Sequence, residues 1–169
     1  MWTEVLRQKL SASTSIRKKN LKMSKRCTED IETIQDGRFK HTCKKVKGGT
    51  HGNVFICSDL RKDREVALKK ITVSYDEKNE GYPIHALREI SAYKRLKTHV
   101  NILVMHEIFT LNESPLFIFE ALKSSLRDYQ KSNVLSTGQI HSFKKQIANG
   151  IAYCHICGLM NRDIKSDNI

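Results

Sequence analysis

The sequence predicts an α+β fold of two unequal lobes, on three observations. Five strand-length apolar runs lie between Phe39 and Leu122, one stretch of helical periodicity interrupts them after Pro83, and helical patterns follow from Leu126 onward. The chain has 169 residues, 39% of them hydrophobic, which is enough apolar material to bury one core. No run of about 18 apolar residues occurs, so no segment is a candidate membrane span.

Residues 1–36 are rich in Lys, Arg and Ser and carry only short apolar fragments, the composition of a basic flexible extension. Met23 offers a second possible start, and Glu4 argues against a transit peptide. Three strands are expected next, Phe39 to Val46, Asn53 to Ser58 and Glu65 to Val73, each bounded by Gly or charged turn residues. Together they read as an antiparallel meander. After Pro83, a residue suited to a helix start, Ile84, Leu87, Ile90 and Ala92 or Tyr93 recur at helical spacing. Ile102 to Ile108 and Leu116 to Leu122 are again of strand length.

A short helix is expected near Leu126 to Lys131 and a long one from Thr137 to about Cys157. Ser136 and Gln139 have the S-x-x-Q form of a capping box, in which each side chain satisfies a backbone N–H of the other's residue. Behind it Ile140, Phe143, Ile147, Ile151 and Cys154 trace one apolar stripe. The division is therefore an extension over 1–36, a lobe over 37–122 and a second lobe over 123–169.

The formal charge of +12 admits nucleic acid, an acidic protein or phosphates as partners. Lys and Arg are scattered, with no interleaved aromatic residues to stack bases, which argues against nucleic acid. Five cysteines, an odd number at irregular spacing, point to reduced thiols. Cys154-x-x-Cys157 lies near a helix end rather than at the N-terminus that would lower a thiol pKa, and no second pair completes a zinc site. These are read as helix cysteines of which at least one packs.

Three groups carry chemistry. Gly48-Gly49-Thr50-His51-Gly52-Asn53-Val54 falls between the first two strands, where glycines permit a tight turn and let the backbone approach a phosphate closely. Taken alone it is more often just a turn. Val66-Ala67-Leu68-Lys69-Lys70 places a lysine inside an apolar strand, costly unless an anion meets it. A phosphate could do so, and so could Glu89 on the helix after Pro83. Last, Asn161-Arg162-Asp163-Ile164-Lys165-Ser166-Asp167-Asn168 offers an Asp to take a proton from an alcohol, a Lys to meet a transferred phosphate and an Asn to ligate a hard cation.

In this order the glycine turn, V-A-L-K, the helix Glu and R-D-x-K match the protein-kinase signature set. From about Phe39 to Ile169 the chain resembles the N-lobe and first part of the C-lobe of protein kinases. Pro83-Ile84-His85-Ala86-Leu87-Arg88-Glu89 resembles the cyclin-contacting helix of cyclin-dependent kinases. The resemblance implies a five-stranded antiparallel N-lobe with one helix, followed by the first helices of a helical C-lobe. It implies ATP and Mg2+ as cofactors and phosphoryl transfer to Ser or Thr of protein substrates. Lys69 would hold the α- and β-phosphates and pair with Glu89, while Gly49, Thr50 and Gly52 would cover the phosphates. Val54 and Ala67 would cover the adenine, with Phe119 as gatekeeper and backbone groups of Glu120 and Leu122 on the adenine edge. Asp163 would orient the substrate hydroxyl and accept its proton, Lys165 would contact the γ-phosphate, and Asn168 would bind magnesium.

Two positions depart from that pattern. Lys47 stands where the first glycine is expected, leaving Gly49 and Gly52, and Asn161 stands where the family carries a His before Arg-Asp. An intact kinase would continue past Ile169 with further magnesium-binding and substrate-binding segments, so the 169 residues alone are expected to lack kinase activity. The resemblance further implies a cyclin-like regulatory subunit binding through Pro83 to Leu96, no membrane partner, and action in the nucleus, the cytoplasm or both. An alternative from a different class is a catalytically inactive chain that binds a cyclin as a decoy.

Overall fold

The computed structural model describes residues 37–49, 52–73, 81–111 and 114–169; the extension expected over 1–36, and Thr50 and His51 of the glycine turn, lie outside the described residues. Contacts group the chain into two units. One is a sheet of β1 (Phe39–Gly49), β2 (Gly52–Asp59), β3 (Arg64–Ile71), β4 (Met105–Leu111) and β5 (Ser114–Glu120), in the order β1-β2-β3-β5-β4. The pairings of β1 with β2, β2 with β3 and β3 with β5 are antiparallel.

Strand alternation sorts the side chains of this sheet onto two faces. Phe55, Cys57, Val66, Leu68, Leu116 and Ile118 fill one side with Phe39, backed by Phe109 and Leu111. Val54, Ala67, Lys69, Phe117 and Phe119, which alternate with them along the strands, share the other. Val66 through Lys69 are all buried, so β3 is covered on both faces, which explains its unbroken apolar run. Burial pushes the Cys57 thiol up to about 12, leaving it an inert core residue.

Arg38, just before β1, closes this unit. Its guanidinium forks onto Asp59 at 3.0 and 2.7 Å and onto Glu107 at 2.8 and 2.7 Å, and stands over the rings of Phe39 and Phe109 at 4.7 and 5.8 Å. Lys62 adds a bond to Glu107 at 2.6 Å.

The other unit holds the helices α1 (Ile84–Arg95), α2 (Leu126–Ser132) and α3 (Thr137–Ile156), with a 3-10 turn at Ser166–Asn168. α3 begins as the sequence requires: Gln139 N–H donates to Ser136 Oγ at 3.3 Å and Ser136 N–H to Gln139 Oε1 at 2.9 Å. Along it Phe143 and Cys154 are buried and Ile147 and Ile151 half-buried, while Ile140 is exposed. Cys154 packs with Ile102, Leu96, Ile147, Tyr153, Leu159 and Ile169, and burial raises its thiol pKa. Cys157 caps the helix, half-buried.

Two expectations are corrected. The buried face of α1 is Ala86, Glu89, Ala92 and Tyr93, whereas Ile84 and Leu87 are 61% and 46% exposed. Periodicity finds an apolar stripe, but small alanines that permit close packing were the side actually covered. Pro83 is the N-cap of α1 in extended conformation, so the helix follows it as expected. Ile102 also lies outside any strand: it is buried in the turn before β4, which starts only at Met105. Its side chain packs with Cys154 in the helical unit. No helix among the described residues is long and apolar enough to cross a membrane.

Candidate active site

Within the sheet, Val54 and Lys69 are direct cross-strand partners, as are Ala67 and Phe119. The residues expected around adenine and the phosphate-binding lysine thus occupy one face. Lys69 is 6% exposed on that otherwise apolar face, so its ammonium is held out of water, the condition under which an anionic partner matters most. Phe119 is buried, and Glu120, half-buried, ends β5 opposite Val66. Leu122 follows the strand and is half-buried.

Gly49 pairs with Gly52 at the end of the β1–β2 ladder. Gly52 has φ of +143°, and a Cβ there would stand 2.2 Å from the Lys70 carbonyl oxygen. Only glycine fits, for steric reasons within the sheet as well as for any ligand. Thr50 lies outside the described residues.

In the helical unit, Glu89 is buried at 5% exposure on α1. Asp163, Lys165 and Asn168 come together. Lys165 Nζ is 2.9 Å from Asp163 Oδ1, and Asn168 Nδ2 donates to Asp163 Oδ2 at 3.0 Å and to its backbone oxygen at 2.9 Å. The Asp163 carboxylate is therefore aimed by a cation and an amide in a short loop, while its side chain keeps 25% exposure through which an alcohol could approach. Asn168 is 4% exposed, and its carboxamide oxygen is the side-chain atom able to ligate a hard cation. Mg2+ commonly takes only one or two protein ligands and completes its shell with phosphate and water, so this oxygen fits it as a co-ligand of a nucleotide. Among the described residues no group of three or more His, Cys, Asp and Glu forms a separate metal site.

Two further residues shape this loop. Asn161 Oδ1 accepts the Asp163 backbone N–H at 2.8 Å, an Asx turn that fixes the backbone of the loop Asp. Its signal was an Asn two residues before the Asp, which sequence reasoning treated only as a missing His. Arg127 of α2 bonds Asp167 at 2.8 Å, and Leu126 N–H donates to the Ile169 carbonyl, so α2 braces the loop from outside. Arg127 gave no such signal, since its partner is 40 residues away.

A protein kinase domain model matches residues 41–169. The chain is similar to Cyclin-dependent kinase 2 of Caenorhabditis elegans, 34% identical over 149 residues that cover 84% of this chain and 39% of that protein. It is also similar to Cyclin-dependent kinase 17 of the same organism, 32% identical over 127 residues, covering 74% of this chain and 18% of that protein. The chain thus spans less than half the length of these relatives. With the family model extending from the first strand through the Asp163 loop, the chain belongs to the protein kinase family, and its similarity falls on cyclin-dependent members.

Proposed function

We propose that the protein transfers the γ-phosphoryl group of ATP to Ser or Thr hydroxyls of protein substrates, as a cyclin-dependent-kinase-like enzyme of cell-cycle or transcription control acting in the nucleus, the cytoplasm or both. One observation carries this reading: the Asp163 carboxylate is gathered with Lys165 and Asn168 in a single braced loop. Asp163 accepts the hydrogen bond of the substrate hydroxyl and takes its proton as the oxygen attacks phosphorus. Lys165, now paired with Asp163, turns its charge to the moving phosphoryl group. Lys69 neutralises the α- and β-phosphates, and Gly49, Thr50 and Gly52 cover the phosphates. Val54, Ala67 and Phe119 enclose the adenine, whose edge bonds the backbone of Glu120 and Leu122. Asn168 would hold a magnesium ion, which would supply charge neutralisation to the nucleotide phosphates.

Two measurements test this. Calorimetric titration of the chain with Mg·ATP should show binding that Lys69→Met weakens at least tenfold; unchanged affinity in that variant overturns the nucleotide role. The protein purified from its source should phosphorylate Ser or Thr peptides, and Asp163→Asn should lower the rate about 10²–10⁴-fold. Full transfer without that carboxylate would remove Asp163 as the base.

The exposed Ile84 and Leu87 favour a second reading of α1 as the docking helix for a cyclin-like subunit, whether the chain acts as enzyme or decoy. Ile84→Asp with Leu87→Asp should abolish retention of a purified cyclin, and retention by both forms would sink this assignment.

A further inference from the structure

We propose that Arg38 is a positioning residue for the adenine edge of the site, acting as a clasp between the two edges of the sheet. This rests on the kinase reading of Ala67, Phe119 and Glu120. In the order β1-β2-β3-β5-β4 the outermost strands are β1 and β4, which a flat sheet would set about 19 Å apart at about 4.8 Å per strand. Instead the rings of Phe39 in β1 and Phe109 in β4 meet edge to face, centroids 6.1 Å apart. The sheet is therefore curled until its edges touch. Arg38 spans the seam. Its guanidinium lies over both rings, at 4.7 and 5.8 Å, and forks onto Asp59 at the end of β2 and onto Glu107 near the start of β4. The family model matches residues 41–169, so Arg38 and Phe39 lie outside it.

The seam lies at the end of the sheet where β5 finishes. Asp59 pairs with Phe39 and with Arg64, and Val66, two residues after Arg64, pairs with Glu120. Lys69 stands five residues after Arg64, about 17 Å along β3 at about 3.4 Å per residue, so the phosphate end is remote from the clasp. β4, which Glu107 ties to Arg38, is the immediate neighbour of β5. Closing the sheet around its core sets the angles between β2, β3 and β5. Those angles set the spacing of Val54, Ala67 and Phe119 on the opposite face and the direction of the Glu120 backbone. Two rings in contact can slide, whereas a guanidinium forked onto two carboxylates fixes the geometry of the seam.

The test is calorimetric titration of the whole chain with Mg·ATP and with Mg·triphosphate, with amide hydrogen exchange alongside. Glu107→Ala opens the clasp toward β4 and leaves the buried pair of Arg38 and Asp59 intact. It should weaken Mg·ATP binding about three- to tenfold, the worth of roughly one well-aligned hydrogen bond, and leave Mg·triphosphate affinity unchanged. Amide exchange should rise about tenfold from Phe117 to Glu120 and stay as before from Lys69 to Ile71. Lys62→Ala removes the exposed cation on the same carboxylate and should change neither readout. The proposal is overturned by equal weakening of both ligands, by a uniform rise in exchange, by an unaltered Mg·ATP affinity in folded Glu107→Ala protein, or by the same losses in Lys62→Ala. If the native chain binds no nucleotide, the kinase reading fails by itself, and exchange from Phe117 to Glu120 still decides whether the clasp governs the end of β5.

Discussion

Arg38 and Asp59 form a two-pronged ion pair with side-chain exposures of 5% and 0%. Arg38 also forks onto Glu107, at 23% exposure, so one guanidinium serves two carboxylates from β2 and β4. Desolvating three charges is offset only while the set is complete. Replacing Arg38 with Met should leave Asp59 buried and unpaired and cost about 3–5 kcal/mol. Urea denaturation checks this; a loss under about 1 kcal/mol would mean that water reaches Asp59.

The same pair fixes the response to acid. Hydrogen bonds from Arg38 hold Asp59 below the usual carboxylate range and bring Glu107 to about 2. Their folded pKa values are depressed, so the stabilisation is present above the ordinary carboxylate pKa, about 4.3, and is lost as pH falls toward 2. The melting temperature should drop through that window, and the drop should be shallower in the Arg38→Met variant.

Gly52→Ala tests the close approach in the glycine turn. With φ at +143° and Lys70 O only 2.2 Å from the added carbon, the sheet must shift. A destabilisation of about 1–3 kcal/mol or more is expected in a denaturant melt, with weaker nucleotide binding.

Ser136→Ala removes one half of the capping box on α3. The expected loss is about 1 kcal/mol, measured by the same melt, with nucleotide affinity unchanged.

Asn161→Ala removes the acceptor that holds the Asp163 N–H. In the protein purified from its source, the turnover number should fall while Mg·ATP affinity stays constant, since Asn161 touches the loop and not the nucleotide. An equal fall in affinity would mean that the Asx turn supports binding rather than orientation of Asp163.

Much of this was legible in one dimension. Strands, the capping box of α3 and the loop around Asp163 depend on residues near one another in sequence, where spacing and backbone preference act directly. The buried face of α1 was not legible, because Ile84 and Leu87 have the hydrophobicity of core residues and only the presence of a covering element decides whether they are core. The set of Arg38, Asp59 and Glu107 was hidden for another reason: the two carboxylates lie 21 and 69 residues from Arg38, and Arg38 precedes the stretch that the family model matches.

The sequence by itself determined the family, the order of the elements and the identity of the chemical groups, since each follows from local pattern. Tertiary structure decided which side of α1 is covered, that Ile102 packs with Cys154 rather than in a strand, and that Tyr153 meets Lys97 across 56 residues. Such contacts depend on which surfaces meet, and burial or a closed hydrogen bond exists only once the chain has brought them together.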